Sequence, residues 1–145
     1  MKVFLLLGLC LMLLCVSEVN SLTQCEFVRI AKSRLNGYAG ASVADWVCLV
    51  FYESRFNTGL VHVNRNGSRD YGLFQINSKY WCNDGKTPRA TNGCKTDCRK
   101  FLDNNLDDDI ECAKKIATQA RGLTPWYGWK NFCRGKNLHK FIAGC

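Results

Sequence analysis

The pattern of apolar and polar residues predicts a first helix that begins near residue 24. Val28, Ala31 and Leu35 recur at spacings of three and four, which places them on one helical face. Thr23 and Glu26 precede them at the spacing of a capping box, in which each side chain bonds the other residue's backbone amide. An Asn-Gly pair directly after Leu35 ends the segment.

A second helix is predicted over residues 42–54 and opens with a Ser-x-x-Asp capping sequence. Trp46, Leu49 and Val50 form its apolar face, and Glu53 falls on the same face, seven residues after Trp46. Desolvation penalises the charged form of a buried carboxyl group, so burial raises its pKa. Glu53 is therefore a candidate proton donor. If the last helical turn frays instead, this side chain lies in water.

The segment after the second helix predicts a hairpin with an Asn-Gly turn, and its returning strand is expected to cover residues 69–77. Asp70 lies at the start of that strand. Asn64, Ser68 and Asn77 are polar neighbours able to hydrogen-bond the Asp70 carboxylate, which favours its ionised form. One protonated and one ionised carboxyl group are what cleavage of a glycosidic bond requires.

The remaining chain predicts an irregular loop followed by two helices. Residues 80–98 combine glycine, proline and three cysteines with polar residues, as loops do. The apolar positions between Ile110 and Ala120 have helical spacing and indicate a central, buried helix. Thr124 and Pro125 supply an N-cap and a proline at the first helical position of a last helix. Helices on both sides of a small antiparallel sheet make a single α+β domain.

The amino-terminal segment, residues 1–21, is predicted to be a secretory signal peptide, which leaves residues 22–145 as one domain. Lys2 precedes an apolar run from Phe4 to Val16, the arrangement that such signals use. A membrane anchor is the alternative, but the run is shorter than the roughly 20 residues that span a bilayer. We therefore expect a secreted, extracellular protein.

Cysteine usage agrees with export. Two of the ten cysteines lie in the predicted signal, and an even set of eight follows it. In an exported chain of this size such a set predicts four disulfides, although eight cysteines allow 105 pairings. A zinc site is the alternative, but the chain has only His62 and His139, far apart, to join paired cysteines.

The chain is basic, with a formal net charge of +8, and no acidic residue follows Glu111. Such a charge attracts polyanions, which for an exported protein include bacterial surfaces, whereas nucleic acid would suit an intracellular one. A basic exterior can also serve only to keep a protein soluble. The basic residues after Glu111 are Lys114, Lys115, Arg121, Lys130, Arg134, Lys136 and Lys140.

Four stretches, residues 52–54, 70–78, 80–88 and 112–116, together with the eight cysteine positions, resemble the C-type lysozymes. The likeness extends from Cys25 to Cys145. It implies a lysozyme-like fold with a cleft between a helical part and a small sheet. It also implies a bacteriolytic muramidase, expected to be a monomer, that cuts the β-1,4 bond between N-acetylmuramic acid and N-acetylglucosamine in peptidoglycan with retention. Glu53 would be the general acid and Asp70 the nucleophile or electrostatic stabiliser.

The same resemblance implies roles for further residues. Trp126 would lie against Glu53 and keep it protonated, and Tyr80 and Trp81 would stack on sugar rings. The implied substrate-binding set is Asn64, Gln75, Asn77, Tyr80, Trp81 and Trp126. The implied disulfides are Cys25–Cys145, Cys48–Cys133, Cys82–Cys98 and Cys94–Cys112. His62, Gln119 and Pro125 depart from residues common in the family at the cleft, which leaves the outer sugar preference open.

Four aspartates fall within residues 103–109 of this basic chain. A helix N-terminus favours acidic side chains, but only by about 0.3–1 kcal/mol each. The segment also resembles the calcium elbow of α-lactalbumins and of calcium-binding C-type lysozymes, which implies a structural Ca²⁺ ion. On that resemblance Asp103, Asp108 and Asp109 provide carboxylates, while Lys100 and Asn105 provide backbone carbonyls.

Three other functions compete with hydrolysis. An α-lactalbumin-like modifier of a galactosyltransferase, or a sugar-binding or gamete-surface protein on the same scaffold, would tend to lack the catalytic acids. A basic protein that disrupts membranes could act beside hydrolysis. The sequence leaves open whether the setting is defence, digestion, milk or egg.

Overall fold

The structure is a computed structural model that describes residues 20–145. The predicted signal peptide, residues 1–21, therefore lies outside the described residues except for its last two positions. The Asn20 carbonyl accepts a hydrogen bond from the Thr58 amide, and Ser21 pairs with Asn57 in a single β-bridge. Along residues 20–145, every helix falls short of the length and apolar character needed to cross a membrane.

The helices begin where the capping sequences predict. Thr23 and Glu26 exchange the two hydrogen bonds of a capping box at the first helix, and Ser42 and Asp45 do the same at the second. Within residues 20–145 the α-helices are α1 (Gln24–Arg34), α2 (Val43–Ser54), α3 (Asp107–Ala120) and α4 (Tyr127–Phe132). Short 3-10 helices cover Tyr38–Gly40, Cys98–Leu102 and His139–Phe141.

A small antiparallel sheet lies between α2 and α3 in the chain. Its strands are β1 (Val61–Val63), β2 (Arg69–Tyr71) and β3 (Ile76–Asn77), in that spatial order. The hairpin of β1 and β2 was predicted, but a continuous strand over residues 69–77 is wrong. A turn separates β2 from β3, with Gly72 and Gln75 at φ values of 72° and 49°. The sheet therefore has a third strand that the sequence pattern did not reveal.

The core forms around α2, whose residues from Trp46 to Val50 are all buried. Phe74, from the turn before β3, meets the Trp46 and Phe27 rings edge to face at 6.2 and 6.0 Å. Four disulfides tie this core to the loops. They join Cys25 to Cys145, Cys48 to Cys133, Cys82 to Cys98 and Cys94 to Cys112, the pairs that the resemblance implied.

The last helix begins later than the sequence predicts. Trp126 is the N-cap of α4 with extended backbone angles, so Thr124 and Pro125 both precede the helix. The indole of Trp126 is held by tertiary contacts, because it donates to the Phe74 carbonyl at 2.9 Å and packs edge to face on Trp46. These contacts fix Trp126 in an extended conformation. The helix therefore starts after it, although Pro125 locally favours an earlier start.

Gly72 lets the turn between β2 and β3 approach the 3-10 helix at Cys98–Leu102. A Cβ atom at this position would lie 1.9 Å from the Phe101 carbonyl oxygen and 3.2 Å from an Asp109 carboxylate oxygen. Only glycine permits both this contact and the positive φ at low cost. The turn, and with it the start of β3, is therefore positioned by backbone packing.

Substitution of Gly72 by alanine should destabilise the fold far more than the same change at Gly85. The two glycines share a φ near 72°, but no atom lies within 4 Å of a Cβ at Gly85. Gly85→Ala should lose about 1–2 kcal/mol of unfolding free energy from the left-handed backbone alone. Gly72→Ala, which adds a collision with backbone, should lose more than about 4 kcal/mol. Denaturant unfolding measures both, and equal losses would contradict the packing argument.

Candidate active site

A cleft of about 430 Å³ runs between the helical part and the sheet. Both candidate acids face it, one from each side. Its lining consists of Glu53, Asp70, Gln75, Ile76, Asn77, Tyr80, Trp81, Ile116, Pro125, Trp126 and Tyr127. The fold therefore brings together most of the residues that the sequence proposes for substrate binding.

Glu53 enters the cleft from the last turn of α2 and is half-buried. Burial raises the pKa of its carboxyl group, and the nearby negative charge of Asp70 raises it further. The backbone amide of Gly128 donates to Glu53 Oε1 at 3.1 Å and partly opposes this shift in pKa. Gly128 allows the close approach, since a Cβ there would lie 3.0 Å from that oxygen. The arrangement favours a protonated Glu53.

Asp70 lies in β2 and receives a hydrogen bond on each carboxylate oxygen. The side-chain amide of Asn64 donates to Oδ2 at 3.0 Å, and that of Asn77 donates to Oδ1 at 2.8 Å. Both donors stabilise negative charge, because hydrogen bonds to a carboxylate favour its ionised form. The surroundings of Asp70 are thus the opposite of those of Glu53.

Ser68 fixes the direction of these two amides. Its hydroxyl donates to Asn66 Oδ1 at 2.6 Å, which leaves the serine oxygen as an acceptor for the amides of Asn64 and Asn77, at 3.2 and 3.1 Å. The nitrogen of each amide donates both to Ser68 and to Asp70. The amides are therefore oriented with their N–H groups, and not their oxygens, towards the carboxylate. The sequence suggested Ser68 as a direct hydrogen-bond partner of Asp70. It instead contacts Asn64 and Asn77, which are the direct partners of the carboxylate.

His62 lies beside Asp70, which the sequence analysis did not foresee. The two residues are opposite each other in the β1–β2 ladder, and His62 Nδ1 is 3.7 Å from Asp70 Oδ2. An imidazole that carries charge only when protonated therefore adjoins one of the two acids. The register of the hairpin, counted back from its Asn-Gly turn, is the signal that could have identified this neighbour.

The aromatic residues of the cleft differ in exposure. The side chain of Tyr80 is 53% exposed, whereas that of Trp126 is only 5% exposed. Trp81 is half-buried and packs against Gly93, where an added Cβ would come within 2.8 Å of the indole. The cleft thus has an open aromatic surface at Tyr80 and Trp81 and a closed one at Trp126.

Two predicted substrate residues have a different position from the rest. Asn64 holds Asp70 but does not line the cleft. Gln75 lines the cleft from the β2–β3 turn, and its amide donates to the carbonyls of Leu60 and Gly72. The analysis of the sequence missed Tyr127, an exposed residue of the cleft at the start of α4. An aromatic residue directly after Trp126 was the available signal.

The acidic segment contains one carboxylate whose environment is unusual. Asp109 is 0% exposed, and neither of its carboxylate oxygens has a hydrogen-bond partner. Burial raises its pKa to about 8, and the negative charges of Asp103 and Asp108 contribute to the shift. Asp107 differs, because it pairs with Arg34 at 2.6 Å. In residues 20–145 no group of three or more acidic, histidine or cysteine side chains is gathered as a metal cluster.

An unpartnered buried carboxylate is costly, and a bound cation is one way to satisfy it. Carboxylate and carbonyl oxygens are the ligands that Ca²⁺ prefers. The donor types of the acidic segment therefore fit calcium, although Asp103 and Asp108 are exposed and do not converge on Asp109 as the side chains stand.

Comparison with known proteins gives matches over most or all of the chain. The family model described as C-type lysozyme/alpha-lactalbumin family matches residues 20–145. "Lysozyme C-3" of Sus scrofa is 49% identical over 97% of each chain. "Lysozyme C-1" of Sus scrofa is 52% identical over 84% of this chain and 95% of its own. "Lysozyme C" of Dromaius novaehollandiae is 41% identical over 100% of this chain and 99% of its own.

The Glu53 carboxyl group should titrate above the value of 4.5 usual for glutamate, because burial and Asp70 both raise its pKa. Carbon-13 NMR of the side chain measures this directly. Asp70→Asn should lower the midpoint, since it removes a negative charge from the cleft. Asp97→Asn, at the N-cap of the 3-10 helix Cys98–Leu102 and outside the cleft, serves as the control and should leave it unchanged. A midpoint at or below 4.5 in the wild type would contradict the burial argument.

Proposed function

Because the chain belongs to the C-type lysozyme/alpha-lactalbumin family, we propose that it cuts bacterial peptidoglycan through Glu53 and Asp70. The chain is a glycosidase of the lysozyme type, because it is similar over nearly its whole length to several proteins named lysozyme C. The observation that supports the two residues is their placement in one cleft with opposite surroundings. The bond is the β-1,4 link between N-acetylmuramic acid and N-acetylglucosamine.

The two carboxyl groups divide the reaction between them, and lysozyme is the standard example of this chemistry. Glu53, protonated through its burial, donates its proton to the glycosidic oxygen as the bond to the leaving sugar breaks. Asp70 acts as a carboxylate on the side of the anomeric carbon opposite the leaving sugar. There it either stabilises the positive charge that develops on the sugar or forms a bond to the anomeric carbon. Water then replaces Asp70, its proton passes to the Glu53 carboxylate, and the configuration is retained.

The neighbours of each acid support these roles. The Gly128 amide stays within hydrogen-bonding distance of Glu53 when its proton has left, so the resulting carboxylate keeps a donor. Asn64 and Asn77 hold both oxygens of Asp70 and limit the rotation of its carboxylate. A preorganised carboxylate needs no reorientation as positive charge develops.

An α-lactalbumin-like role is the main competing function, since the family includes both kinds of protein. It would need no acid pair in the cleft. The presence of Glu53 and Asp70, each with partners suited to its protonation state, favours hydrolysis.

We also propose that the protein is exported, acts as a monomer and is attracted to anionic bacterial surfaces. Four disulfides suit an oxidising, extracellular compartment. Binding of nucleic acid would suit an intracellular protein, so we do not propose it for an exported one. The net charge of +8 favours encounter with anionic bacterial walls. Added salt should therefore slow wall lysis more than cleavage of a soluble, neutral oligosaccharide.

We further propose that the acidic segment binds a structural Ca²⁺ ion, as in the calcium-binding subset of the family. The carboxylates of Asp103, Asp108 and Asp109 and the carbonyls of Lys100 and Asn105 would hold it. The buried, unpartnered carboxylate of Asp109 is the observation that supports this site. The ion would neutralise charges that otherwise repel one another in the folded state. It has no part in the chemistry at Glu53.

Glu53→Gln should lower wall lysis by at least about a hundredfold, because it removes the proton donor while keeping the shape. Asp70→Asn should also lose most activity. Glu111→Gln, which changes an exposed carboxylate outside the cleft, is the matched control. Turbidity of a bacterial cell-wall suspension measures all three, and oligosaccharide binding checks that the cleft is intact. Lysis at the wild-type rate by Glu53→Gln would rule out its assignment as the acid.

Chelation of calcium should lower the melting temperature and leave activity at room temperature intact. An ion at about a thousand times its dissociation constant stabilises the native state by about 4 kcal/mol. In a domain of this size that corresponds to about 10 °C or more. Differential scanning calorimetry with and without chelator, at low ionic strength, measures the shift.

Two aspartates in the first turn of α3 provide a matched pair for this experiment. Asp108→Asn should melt near the chelated wild type and ignore added calcium. Asp107→Asn removes the same charge from a side chain that pairs with Arg34, so its response to calcium should persist. If chelator leaves the wild-type melting curve unchanged, the aspartates act only at the helix N-terminus.

A further inference from the structure

The turn between β1 and β2 carries an asparagine that is suited to covalent modification. Asn66, Gly67 and Ser68 form the Asn-x-Ser sequence that accepts an N-linked glycan in exported proteins. It is the only Asn-x-Ser or Asn-x-Thr sequence in the whole chain. Asn66 is exposed and lies in a turn that is closed by a hydrogen bond from the Gly67 amide to the Asn64 carbonyl. The acceptor residue is therefore open to solvent.

The two polar atoms of the Asn66 side-chain amide have different environments. Its oxygen, Oδ1, accepts hydrogen bonds from the Ser68 amide at 3.0 Å and from the Ser68 hydroxyl at 2.6 Å. A backbone amide can only donate, so the first of these contacts identifies the oxygen of the side chain. Within residues 20–145 the hydrogen bonds of this side chain all use Oδ1. Nδ2, the atom to which a glycan is attached, is therefore not engaged.

The hydrogen bonds around Ser68 are compatible with a sugar on Asn66. Attachment replaces one hydrogen of the amide nitrogen and leaves the carbonyl oxygen as an acceptor. Ser68 can therefore keep its contact with Asn66 and still accept from Asn64 and Asn77, whose amides hold Asp70. The lining of the cleft, drawn from residues 20–145, does not include Asn66, so the first sugar would be attached outside the cleft.

The turn itself does not require an amide at position 66. An aspartate would offer the same kind of acceptor to Ser68, and Asp-Gly suits a hairpin turn as Asn-Gly does. Two further Asn-Gly pairs occur at residues 36–37 and 92–93, and neither is followed by serine or threonine. What the amide of Asn66 adds is a nitrogen on which a sugar can be placed.

We propose that Asn66 carries an N-linked glycan in the secreted protein. This assignment rests on the proposed export, since the sugar is transferred in the secretory pathway. Nδ2 forms a bond to the anomeric carbon of the first sugar of a lipid-diphosphate-linked oligosaccharide. The bond from that carbon to the diphosphate breaks, the lipid diphosphate leaves, and Nδ2 gives up one proton.

The buried position of Ser68 determines when the transfer takes place. The residue is 1% exposed in the folded protein, and its hydroxyl donates to Asn66. The glycosylation sequence includes this hydroxyl, which the transferring enzyme cannot reach once the hairpin has formed. The glycan is therefore added before β1 and β2 pair.

The experiment expresses the full chain in cultured vertebrate cells and measures the intact mass of the protein in the medium. Peptide N-glycosidase F in isotopically labelled water should remove a glycan from the wild type and leave one labelled oxygen at residue 66. Asn66→Asp, which keeps an acceptor for Ser68, should lose the glycan entirely. Asn36→Gln removes an exposed asparagine from another Asn-Gly pair and should keep it.

The masses separate the possible failures. Wild-type protein that is secreted without a glycan would overturn the assignment of Asn66 and leave the proposed function untouched. A glycan that persists in Asn66→Asp would also overturn it, since the sugar would then lie elsewhere. If the chain does not reach the medium, the proposed export and the glycan assignment fail together.

A second measurement tests whether the glycan leaves the contacts of Asp70 in place. Glycosylated wild type, and wild type made while tunicamycin blocks glycosylation, should hydrolyse a soluble N-acetylglucosamine oligomer at the same rate. A slower glycosylated form would contradict the expected survival of the contact between Asn66 and Ser68. If neither form hydrolyses the oligomer, the proposed function fails, while the masses still decide the glycan.

Discussion

Burial of the Glu53 carboxyl group between α2 and α4 is the constraint on which the cleft depends. Removal of water raises the pKa of a carboxyl group, and here the two helices close around Glu53 on one side. Helix α2 carries Cys48 and the end of α4 carries Cys133, and their disulfide holds the two helices together. Gly128 then brings a backbone amide to the acid without a side chain in between. Burial between the two helices raises the pKa of Glu53, and the hydrogen bond from Gly128 opposes only part of that rise.

Asp70 has the reverse requirement and is served by a different kind of structure. A short hairpin places it among polar side chains, and two side-chain amides donate to its carboxylate oxygens. The hydroxyl of Ser68 is committed to Asn66, and this orients the amides of Asn64 and Asn77 towards the carboxylate. In the α+β architecture the helices therefore form a less hydrated side of the cleft around Glu53, and the sheet forms a polar side around Asp70.

Local signals in the sequence predicted the elements that depend on local physics. Both capping boxes, the helical stripe that includes Glu53, and the Asn-Gly hairpin follow from neighbouring residues alone. The break between β2 and β3 could not be predicted, since it depends on a contact of Gly72 with backbone almost thirty residues away, at Phe101. The late start of α4 likewise depends on Trp126 and Phe74. For the site, the sequence could name Glu53 and Asp70 as candidate acids, whereas the position of His62 required the strand register.

The four disulfides differ widely in the length of chain that they enclose. Cys82–Cys98 and Cys94–Cys112 span 16 and 18 residues, whereas Cys48–Cys133 and Cys25–Cys145 span 85 and 120. Closing a short loop removes about 3 kcal/mol of chain entropy from the unfolded state, and closing a loop of about 100 residues removes about 4.7 kcal/mol. The two short disulfides hold the loop beside the sheet. Their cysteines are close in the chain, so less entropy is lost when they meet than for distant cysteines. The two long links join segments that are distant in the chain, and one of them, Cys48–Cys133, connects the two helices that enclose Glu53.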